Sequence, residues 1–241
     1  MSYKSNSGYW AAALAVVLFI VHLPRTTAAE SAQLLQNGKN LYSRYCVVCH
    51  GREGKGDGPN SVNMDPQPRD LTDTGREKYM DKRTAQELFK AIALGGRGVE
   101  KSPTMPAWGK TISEYGIWSL IAYISELCVT KDWMVDSARN MDSAPPEVAV
   151  KAVNIPQPAG SAARIGKRLY RKYGCFGCHQ VRSLGGVSGP ELTGIAARLK
   201  PDQIYRVIQN ARSVKSDSVM PVYGLDEEGG VYLTQYLLLM E

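Results

Sequence analysis

Apolar residues recur along most of the chain with the period of amphipathic helices. Residues 84–94 place their apolar side chains on one side of a helix, and the pair Gly95-Gly96 after them is a stop signal. A second apolar stripe begins at Pro201, a residue favoured in the first turn of a helix. Because no run of alternating Val, Ile or Thr persists, the pattern predicts an all-α fold. Further helices are predicted over residues 31–45, 113–128, 162–173 and 227–240.

The helical pattern occurs twice. In each copy a helix with Gly and Tyr four residues apart leads into a Cys-x-x-Cys-His motif, and the closing helix carries Leu and Tyr three residues apart. The repetition predicts two helical domains, over residues 30–130 and 161–241. The Pro-rich stretch 131–160 between them predicts a linker that is stiff and extended in part. The paired residues are Gly38, Tyr42, Leu120 and Tyr123 in the first copy, and Gly166, Tyr170, Leu233 and Tyr236 in the second.

Residues 1–29 have the pattern of a secretory signal peptide. Lys4 precedes the apolar run Trp10–Val21, and small residues end the segment. The run is shorter than the about 20 apolar residues that span a bilayer, so we expect cleavage after Ala29. An uncleaved anchor that uses residues 9–23 is the alternative. Both interpretations predict export to the periplasm or to the periplasmic face of the inner membrane.

Four of the five cysteines lie in two motifs of identical format, Cys46-x-x-Cys49-His50 and Cys175-x-x-Cys178-His179. Two thiols at this spacing can form thioethers with the two vinyl groups of one haem, and the adjacent imidazole can bind the iron. A structural zinc ion would need a fourth protein ligand, and a redox dithiol usually lies near a βαβ unit that this pattern does not predict. The sequence therefore predicts two covalently attached haems c.

A methionine stands before a proline shortly ahead of each closing helix, at Met105 and Met220. Proline cannot extend a helix, so both sulfurs are predicted to lie in loops that could present them to iron. A Met and a His as axial pair close the iron to substrate and raise its reduction potential. In the first domain Met64 and Met80 are the rivals, but they lack the following proline. The predicted iron ligands are thus His50, Met105, His179 and Met220.

A ligating imidazole usually donates its other ring N–H to a carbonyl or carboxylate. In the second domain the carbonyl of Pro190 is the candidate acceptor. In the first domain two segments remain open, residues 58–59 and residues 68–71.

These residues resemble the class I c-type cytochrome family. The resemblance rests on both Cys-x-x-Cys-His motifs, on the Met-Pro pairs, and on the Gly/Tyr and Leu/Tyr pairs, which look like the family's crossing of first and last helices. It covers nearly all of residues 31–128 and 161–240, and it implies two tandem cytochrome c domains. Residues 56–59 and 68–72 make the first domain similar to exported cytochromes that accompany membrane respiratory complexes.

The function that the resemblance implies is one-electron transfer between periplasmic or membrane respiratory partners, without enzyme activity. Two alternatives stay open. One is a haem subunit fixed in a membrane oxidoreductase. The other is a haem enzyme, peroxidase-like or sulfur-oxidising, with one iron that is open or ligated by Cys. Cys128 would be the thiolate in that case, although a buried core position is the simpler interpretation.

Charge gives no reason to expect a nucleic-acid partner. The formal net charge of +6 becomes +4 when Lys4 and Arg25 leave with the first 29 residues, and haem propionates would offset the remainder. A basic stripe on the predicted helix 162–173 could attract an acidic redox partner, or it could be an ordinary solvated face. It consists of Arg164, Lys167, Arg168, Arg171 and Lys172.

Overall fold

The computed structural model of the protein describes residues 28–76, 78–131, 133, 144–145 and 147–240. Helices dominate this part of the chain, and its regular strands form a short antiparallel hairpin, β1 (Gln180–Val181) and β2 (Leu184–Gly185). The predicted all-α fold is therefore confirmed, with this hairpin as a small addition. The α-helices are α1 (Ala28–Tyr45), α2 (Val47–His50), α3 (Ala85–Gly98), α4 (Glu114–Leu127), α5 (Gly160–Lys172), α6 (Pro201–Asn210) and α7 (Glu227–Leu238).

Local capping explains where several helices begin. The Thr84 hydroxyl accepts a hydrogen bond from the Glu87 backbone N–H at 3.2 Å, and the Glu87 carboxylate accepts one from the Thr84 N–H at 2.8 Å. This reciprocal pair satisfies two amide groups at the start of α3. The side chains of Ser113 and Asp226 cap α4 and α7 by accepting one backbone hydrogen bond each, from Gly116 and Gly229. Gly95 interrupts α3 with a φ of 72°, as the glycine pair predicts, but one further turn follows it.

The first and last helices of each domain cross at a glycine. A Cβ atom on Gly38 of α1 would lie 2.0 Å from the Ser119 carbonyl oxygen of α4. A Cβ atom on Gly166 of α5 would lie equally close, at 2.0 Å, to the Tyr232 carbonyl oxygen of α7. Only a residue without a side chain permits axes this close, so the predicted helix crossing is confirmed in both domains.

A pair of tyrosines flanks each helix crossing, and each pair packs in the hydrophobic core of its own domain. The rings of Tyr42 and Tyr123 lie 5.3 Å apart, and those of Tyr170 and Tyr236 lie 5.6 Å apart. One core packs α1, α3 and α4 around Ile, Leu, Tyr and Trp side chains, and the other packs α5, α6 and α7. Each domain therefore buries its own apolar side chains.

The described residues of the linker contain no helix or strand before Gly160, where α5 begins. The Asn210 side chain donates to the Val148 carbonyl at 3.1 Å, and the Gln235 side chain donates to the Pro156 carbonyl at 3.3 Å. Residues 148 and 156 of the linker thus contact α6 and α7 of the second domain.

Two predicted features of the N-terminus lie outside the described residues. The apolar segment 9–23 is one, and most of the predicted signal or anchor segment 1–29 is the other; Ala28 and Ala29 already belong to α1. Within the described ranges, no helix combines the length and the apolar character that crossing a membrane requires.

Candidate haem-binding sites

The first Cys-x-x-Cys-His motif closes into a single turn directly after α1: Cys46 follows that helix, and the other four residues form the short α2. The backbone N–H groups of Cys49 and His50 both donate to the Cys46 carbonyl, at 3.1 and 2.8 Å. The buried Tyr42 hydroxyl donates to the Gly51 carbonyl at 2.9 Å and ties α1 to the residue that follows the imidazole. Both thiols and the histidine are therefore held on one short, tightly bonded segment.

The imidazole of His50 is oriented by a backbone carbonyl. Its Nδ1 lies 3.2 Å from the Arg69 carbonyl oxygen. Of the two segments left open for this role, residues 68–71 thus provide the acceptor. An Nδ1–H that donates to a carbonyl leaves Nε2 with its lone pair, which is the arrangement of a ligating histidine.

The second motif repeats this geometry. The Cys178 and His179 N–H groups donate to the Cys175 carbonyl at 3.1 and 3.0 Å. Nδ1 of His179 lies 2.8 Å from the Pro190 carbonyl oxygen, the acceptor expected from the sequence. The two histidines therefore have equivalent partners at equivalent positions.

Gly189 is a site residue that the sequence analysis did not single out. A Cβ atom there would lie 2.5 Å from Cε1 and 2.6 Å from Nδ1 of His179. Its N–H also donates to the Cys178 carbonyl at 2.8 Å. The loop that carries Pro190 can lie against the imidazole only because this residue has no side chain. Its position directly before the proline was the available signal.

Burial sets the protonation of both motifs. It lowers the pKa of His50 and of His179, although the hydrogen bonds to Arg69 and Pro190 oppose the shift, so the neutral imidazole that can bind a metal is favoured. Burial also raises the pKa of Cys46 and of Cys175 to about 12. Redox dithiols depend on a lowered thiol pKa, so these cysteines do not fit that chemistry.

The candidate axial methionines lie in loops ahead of the closing helices. Met105 is half-buried against the first core, and its carbonyl accepts a hydrogen bond from Gly96 N–H at 2.9 Å, which docks the loop on the end of α3. Met220 is also half-buried, and its N–H donates to the Ser218 hydroxyl at 3.2 Å. The rivals Met64 and Met80 are buried, and Met80 lies wholly inside the first core.

Cys128 lies apart from both motifs, at the end of α4. It is buried in the first core, with its sulfur 3.4 Å from the Thr130 hydroxyl. This environment supports the simpler interpretation of Cys128 as a packed core residue. Among the described residues, no three His, Cys, Asp or Glu side chains are grouped as they would be around a metal ion.

The donor set of each motif fits a covalently attached haem. The four motif cysteines are free thiols, so no disulfide competes for them. Each pair is followed directly by a histidine whose Nδ1 lies within hydrogen-bond distance of a backbone carbonyl. Two thiols for the vinyl groups and one neutral Nε2 for the iron are the groups that attachment requires.

Comparison with known proteins agrees with this fit. The family model described as cytochrome c oxidase, cbb3-type, subunit III matches residues 33–124 and, separately, residues 161–237. Together the two matches cover well over half of the chain, and each contains one Cys-x-x-Cys-His motif.

Three curated proteins are similar to parts of the chain. Cytochrome c6 of Cladophora glomerata is 29% identical over 102 residues, which are 42% of this chain and 98% of that protein. The cbb3-type cytochrome c oxidase subunit CcoP of Azospirillum brasilense is 35% identical over 104 residues, 43% of this chain and 30% of the relative. Cytochrome c oxidase subunit 2 of Alkalihalophilus pseudofirmus is 26% identical over 178 residues, 67% and 51% of the two chains. The chain thus spans about half or less of the two oxidase subunits.

Among solved structures, the reducing HAO-like protein complex of Kuenenia stuttgartiensis aligns with 85% of this chain and 96% of its own matched chain, at 22% identity. The TM-score of 0.33 is too low to indicate a shared arrangement. The family match and the two repeated motifs are therefore the basis for classification. The chain belongs to the family described as cytochrome c oxidase, cbb3-type, subunit III, and it is a class I c-type cytochrome, an electron-transfer protein with two cytochrome c domains.

Proposed function

We propose that the protein transfers electrons, one at a time, through two covalently bound haems c, on the outer side of the cytoplasmic membrane. The observation that carries the proposal is the equivalence of the two motifs. In each, the imidazole follows two thiols held in one turn, and its Nδ1 faces a backbone carbonyl. A haem at each site would supply an iron that changes between the ferrous and ferric states.

The chain would hold each haem with four side chains. The cysteines would provide thioether links, and the His and Met side chains would bind the iron. The neutral imidazoles favoured by burial support this assignment. The four are Cys46, Cys49, His50 and Met105 in the first domain, and Cys175, Cys178, His179 and Met220 in the second.

Intact mass of the exported protein tests the number of haems. The wild-type chain should carry the added mass of two haems, and the double variant Cys175→Ala/Cys178→Ala should carry one. Cys128→Ala is the matched control and should keep both. A wild-type chain without added haem mass, recovered from a host competent in cytochrome maturation, would contradict the proposal.

Methionine ligation on both irons is what favours an electron carrier over an enzyme, because it leaves no position for a substrate. The weak near-infrared sulfur-to-iron band of the oxidised protein reports it. Met105→Leu and Met220→Leu should each remove one of two contributions to this band. Met64→Leu, a change at a buried methionine of the first domain, should leave the band intact. A band that keeps its full wild-type intensity in Met105→Leu would assign the first domain's ligand elsewhere.

The redox partner is proposed to be acidic. All five cations of the basic stripe on α5 are exposed, on the opposite side of the helix from the buried Ala163, Gly166 and Tyr170. A stripe of one sign accelerates encounter with a partner of opposite charge, and salt screens the effect. The rate of electron exchange with an acidic redox protein should therefore fall as the salt concentration rises. In the double variant Lys167→Gln/Arg171→Gln this dependence on salt should be weaker than in wild type.

A fixed position in a membrane oxidoreductase is the second candidate. It is favoured by the family described as an oxidase subunit and by the similarity to CcoP. It predicts a retained segment 9–23 and co-purification with membranes. The mass experiment distinguishes the two candidates, since a chain cleaved after Ala29 has no such segment.

A further inference from the structure

Asn60 is the buried polar residue that joins the two candidate haem sites. It is fully buried and begins the short 3-10 turn Ser61–Asn63, close behind the first motif. Its backbone N–H donates to the Val48 carbonyl at 2.9 Å, between the two cysteines of that motif. The backbone of Asn60 therefore moves with the first haem-attachment turn.

The side chain of Asn60 reaches into the second domain. Its Nδ2 donates to the Gly177 carbonyl at 2.5 Å, and that carbonyl lies between Cys175 and Cys178. Its Oδ1 accepts from the Val187 N–H at 2.7 Å, in the loop that leads to Gly189. Both ends of the amide are thus satisfied by backbone groups of the second haem site. A buried amide with every contact made is costly to disturb.

The same amide contacts a haem-attachment sulfur of the first domain. Nδ2 of Asn60 lies 3.6 Å from Cys49 Sγ, within the range of a hydrogen bond to sulfur. The two motifs are also neighbours here, because Cys178 of the second motif is close enough to influence Cys49 of the first. Burial raises the pKa of Cys49 to about 11; the hydrogen bond from Asn60 opposes this rise, and the Cys178 thiol adds to it. Asn60 therefore stands where the sulfur-bearing edges of both sites meet.

Glycines of the second domain allow this approach. A Cβ atom on Gly186 would lie 2.7 Å from Asn60 Oδ1 and 2.0 Å from the Gly177 carbonyl oxygen. A Cβ atom on Gly174 would lie 2.0 Å from the Pro103 carbonyl oxygen, in the loop ahead of Met105. The glycines beside the second attachment turn thus leave room for the Asn60 side chain and for the loop ahead of Met105.

We infer that Asn60 is a positioning residue that fixes the two haem-attachment turns edge to edge, so that electrons pass directly between the haems. The inference rests on the proposed function, because it requires a haem at both sites. Asn60 acts through two contacts. The bonds to Gly177 and Val187 hold the relative orientation of the two sites. The contact with Cys49 Sγ places the amide dipole beside a thioether sulfur that would be bonded to the haem periphery, and hydrogen bonding and polarity around a haem are among the determinants of its reduction potential.

The test compares Asn60→Ala with Asn63→Ala in the full-length, haem-loaded protein. Asn63 lies in the same turn but is exposed, so it is a matched control. Stepwise potentiometric titration should show that Asn60→Ala lowers the potential of one haem and leaves that of the other unchanged. Redistribution of an electron injected by a light pulse should be slower in Asn60→Ala than in wild type. Asn63→Ala should match wild type in both measurements.

A second variant keeps the test decisive if Asn60→Ala matures poorly. Gly186→Ala keeps the Asn60 side chain and disturbs its contact from the other domain, because the new methyl group would lie 2.0 Å from the Gly177 carbonyl oxygen and 2.7 Å from Asn60 Oδ1. It should also slow redistribution of the injected electron. Variants that retain two haems by mass, and that match wild type in both potentials and in rate, overturn the role of Asn60. A wild-type protein that lacks two haems refutes the proposed function instead.

Discussion

Tyr42 and Tyr170 occupy equivalent positions in the two domains, yet their hydroxyl groups have different environments. The Tyr42 hydroxyl donates to the Gly51 carbonyl at 2.9 Å, and the residue is almost completely buried. The Tyr170 hydroxyl is also buried, but none of the described residues forms a hydrogen bond with it. Burial raises the pKa of both phenols, so each stays protonated at neutral pH. The pair thus offers a comparison of a satisfied and an unsatisfied buried hydroxyl on one scaffold.

We predict that Tyr42→Phe lowers the free energy of unfolding by about 1 kcal/mol, because the Gly51 carbonyl loses its buried donor. Tyr170→Phe should leave stability unchanged or increase it slightly, because it removes a buried hydroxyl without a partner. Guanidinium unfolding of the haem-loaded variants measures both values. Equal losses in the two variants would contradict this reading of the first domain's hydrogen bond.

At the scale of elements, the closest helix contact in each domain depends on one glycine. We predict that Gly38→Ala and Gly166→Ala each destabilise the protein by about 1–3 kcal/mol, because the new methyl group would meet a backbone carbonyl at 2.0 Å and must force the axes apart. Gly160→Ala is the matched control: its Cβ would meet a flexible Arg164 atom at 3.8 Å. In thermal unfolding, the midpoint temperature of this control should equal or exceed that of wild type, since Ala favours a helix more than Gly does.

The loop that presents the Arg69 carbonyl to His50 is held by a carboxylate. Asp70 accepts hydrogen bonds from the Thr72 N–H and hydroxyl, at 2.8 and 2.6 Å, and from the Gly75 N–H at 3.2 Å. Burial alone would raise the pKa of Asp70, but these hydrogen bonds outweigh it and hold the pKa below its ordinary value. The unfolded chain therefore takes up this proton at a higher pH than the folded chain does.

It follows that the contribution of Asp70 is complete above the ordinary aspartate pKa and is lost as pH falls through the lower folded value. We predict that Asp70→Asn reduces the acid-induced loss of stability and weakens the loop at neutral pH. Unfolding free energies measured from pH 3 to pH 7 test this. If Asp70→Asn follows the wild-type curve over that range, the role of Asp70 is refuted.

Side-chain patterns predicted the helices and their crossings well, because both features depend on the residue types themselves. Apolar spacing is visible in residues 31–45 and 227–240, and the first segment carries a Gly/Tyr pair whereas the second carries a Leu/Tyr pair. The acceptor for His50 could not be chosen in this way, because every residue of the two candidate segments offers a carbonyl. In the second domain the shorter loop and its proline left Pro190 as the candidate, and the structure has that carbonyl at 2.8 Å.

At the scale of the whole molecule, the two domains pack through reciprocal contacts. The loop ahead of Met105 meets the second attachment turn at Gly174. The segment around Met220 in turn contacts the first domain. The Arg44 side chain, just before the first motif, donates to the Asp217 carbonyl at 3.2 Å. The Val222 N–H donates to the Thr111 hydroxyl at 2.9 Å. The acceptors include backbone atoms, which carry no signal in the sequence. This is why the relative orientation of the domains could not be predicted.

Arg212 makes two hydrogen bonds across this contact between the domains. Its guanidinium donates to the Thr111 carbonyl at 3.3 Å and to the Tyr45 hydroxyl, and it also donates to the Ser218 carbonyl at 3.4 Å in its own domain. It therefore connects the segment ahead of Met220 with the residue directly before Cys46. Hydrogen bonds from a charged donor are stronger than neutral ones, so their loss should cost about 2 kcal/mol.

We predict that wild-type protein unfolds in one transition and that Arg212→Ala separates it into two. Tryptophan fluorescence reports the first domain, because Trp108 and Trp118 lie in its core, Trp133 packs against that core, and residues 161–241 contain no tryptophan. Far-ultraviolet ellipticity reports both domains. The two probes should give one denaturant midpoint in wild type and in Arg206→Ala, a change at an exposed arginine of α6. In Arg212→Ala they should diverge, because each domain keeps its own core but loses support from the other. Coincident midpoints in Arg212→Ala would mean that the remaining contacts, Asn60 among them, suffice to make the two domains one cooperative unit.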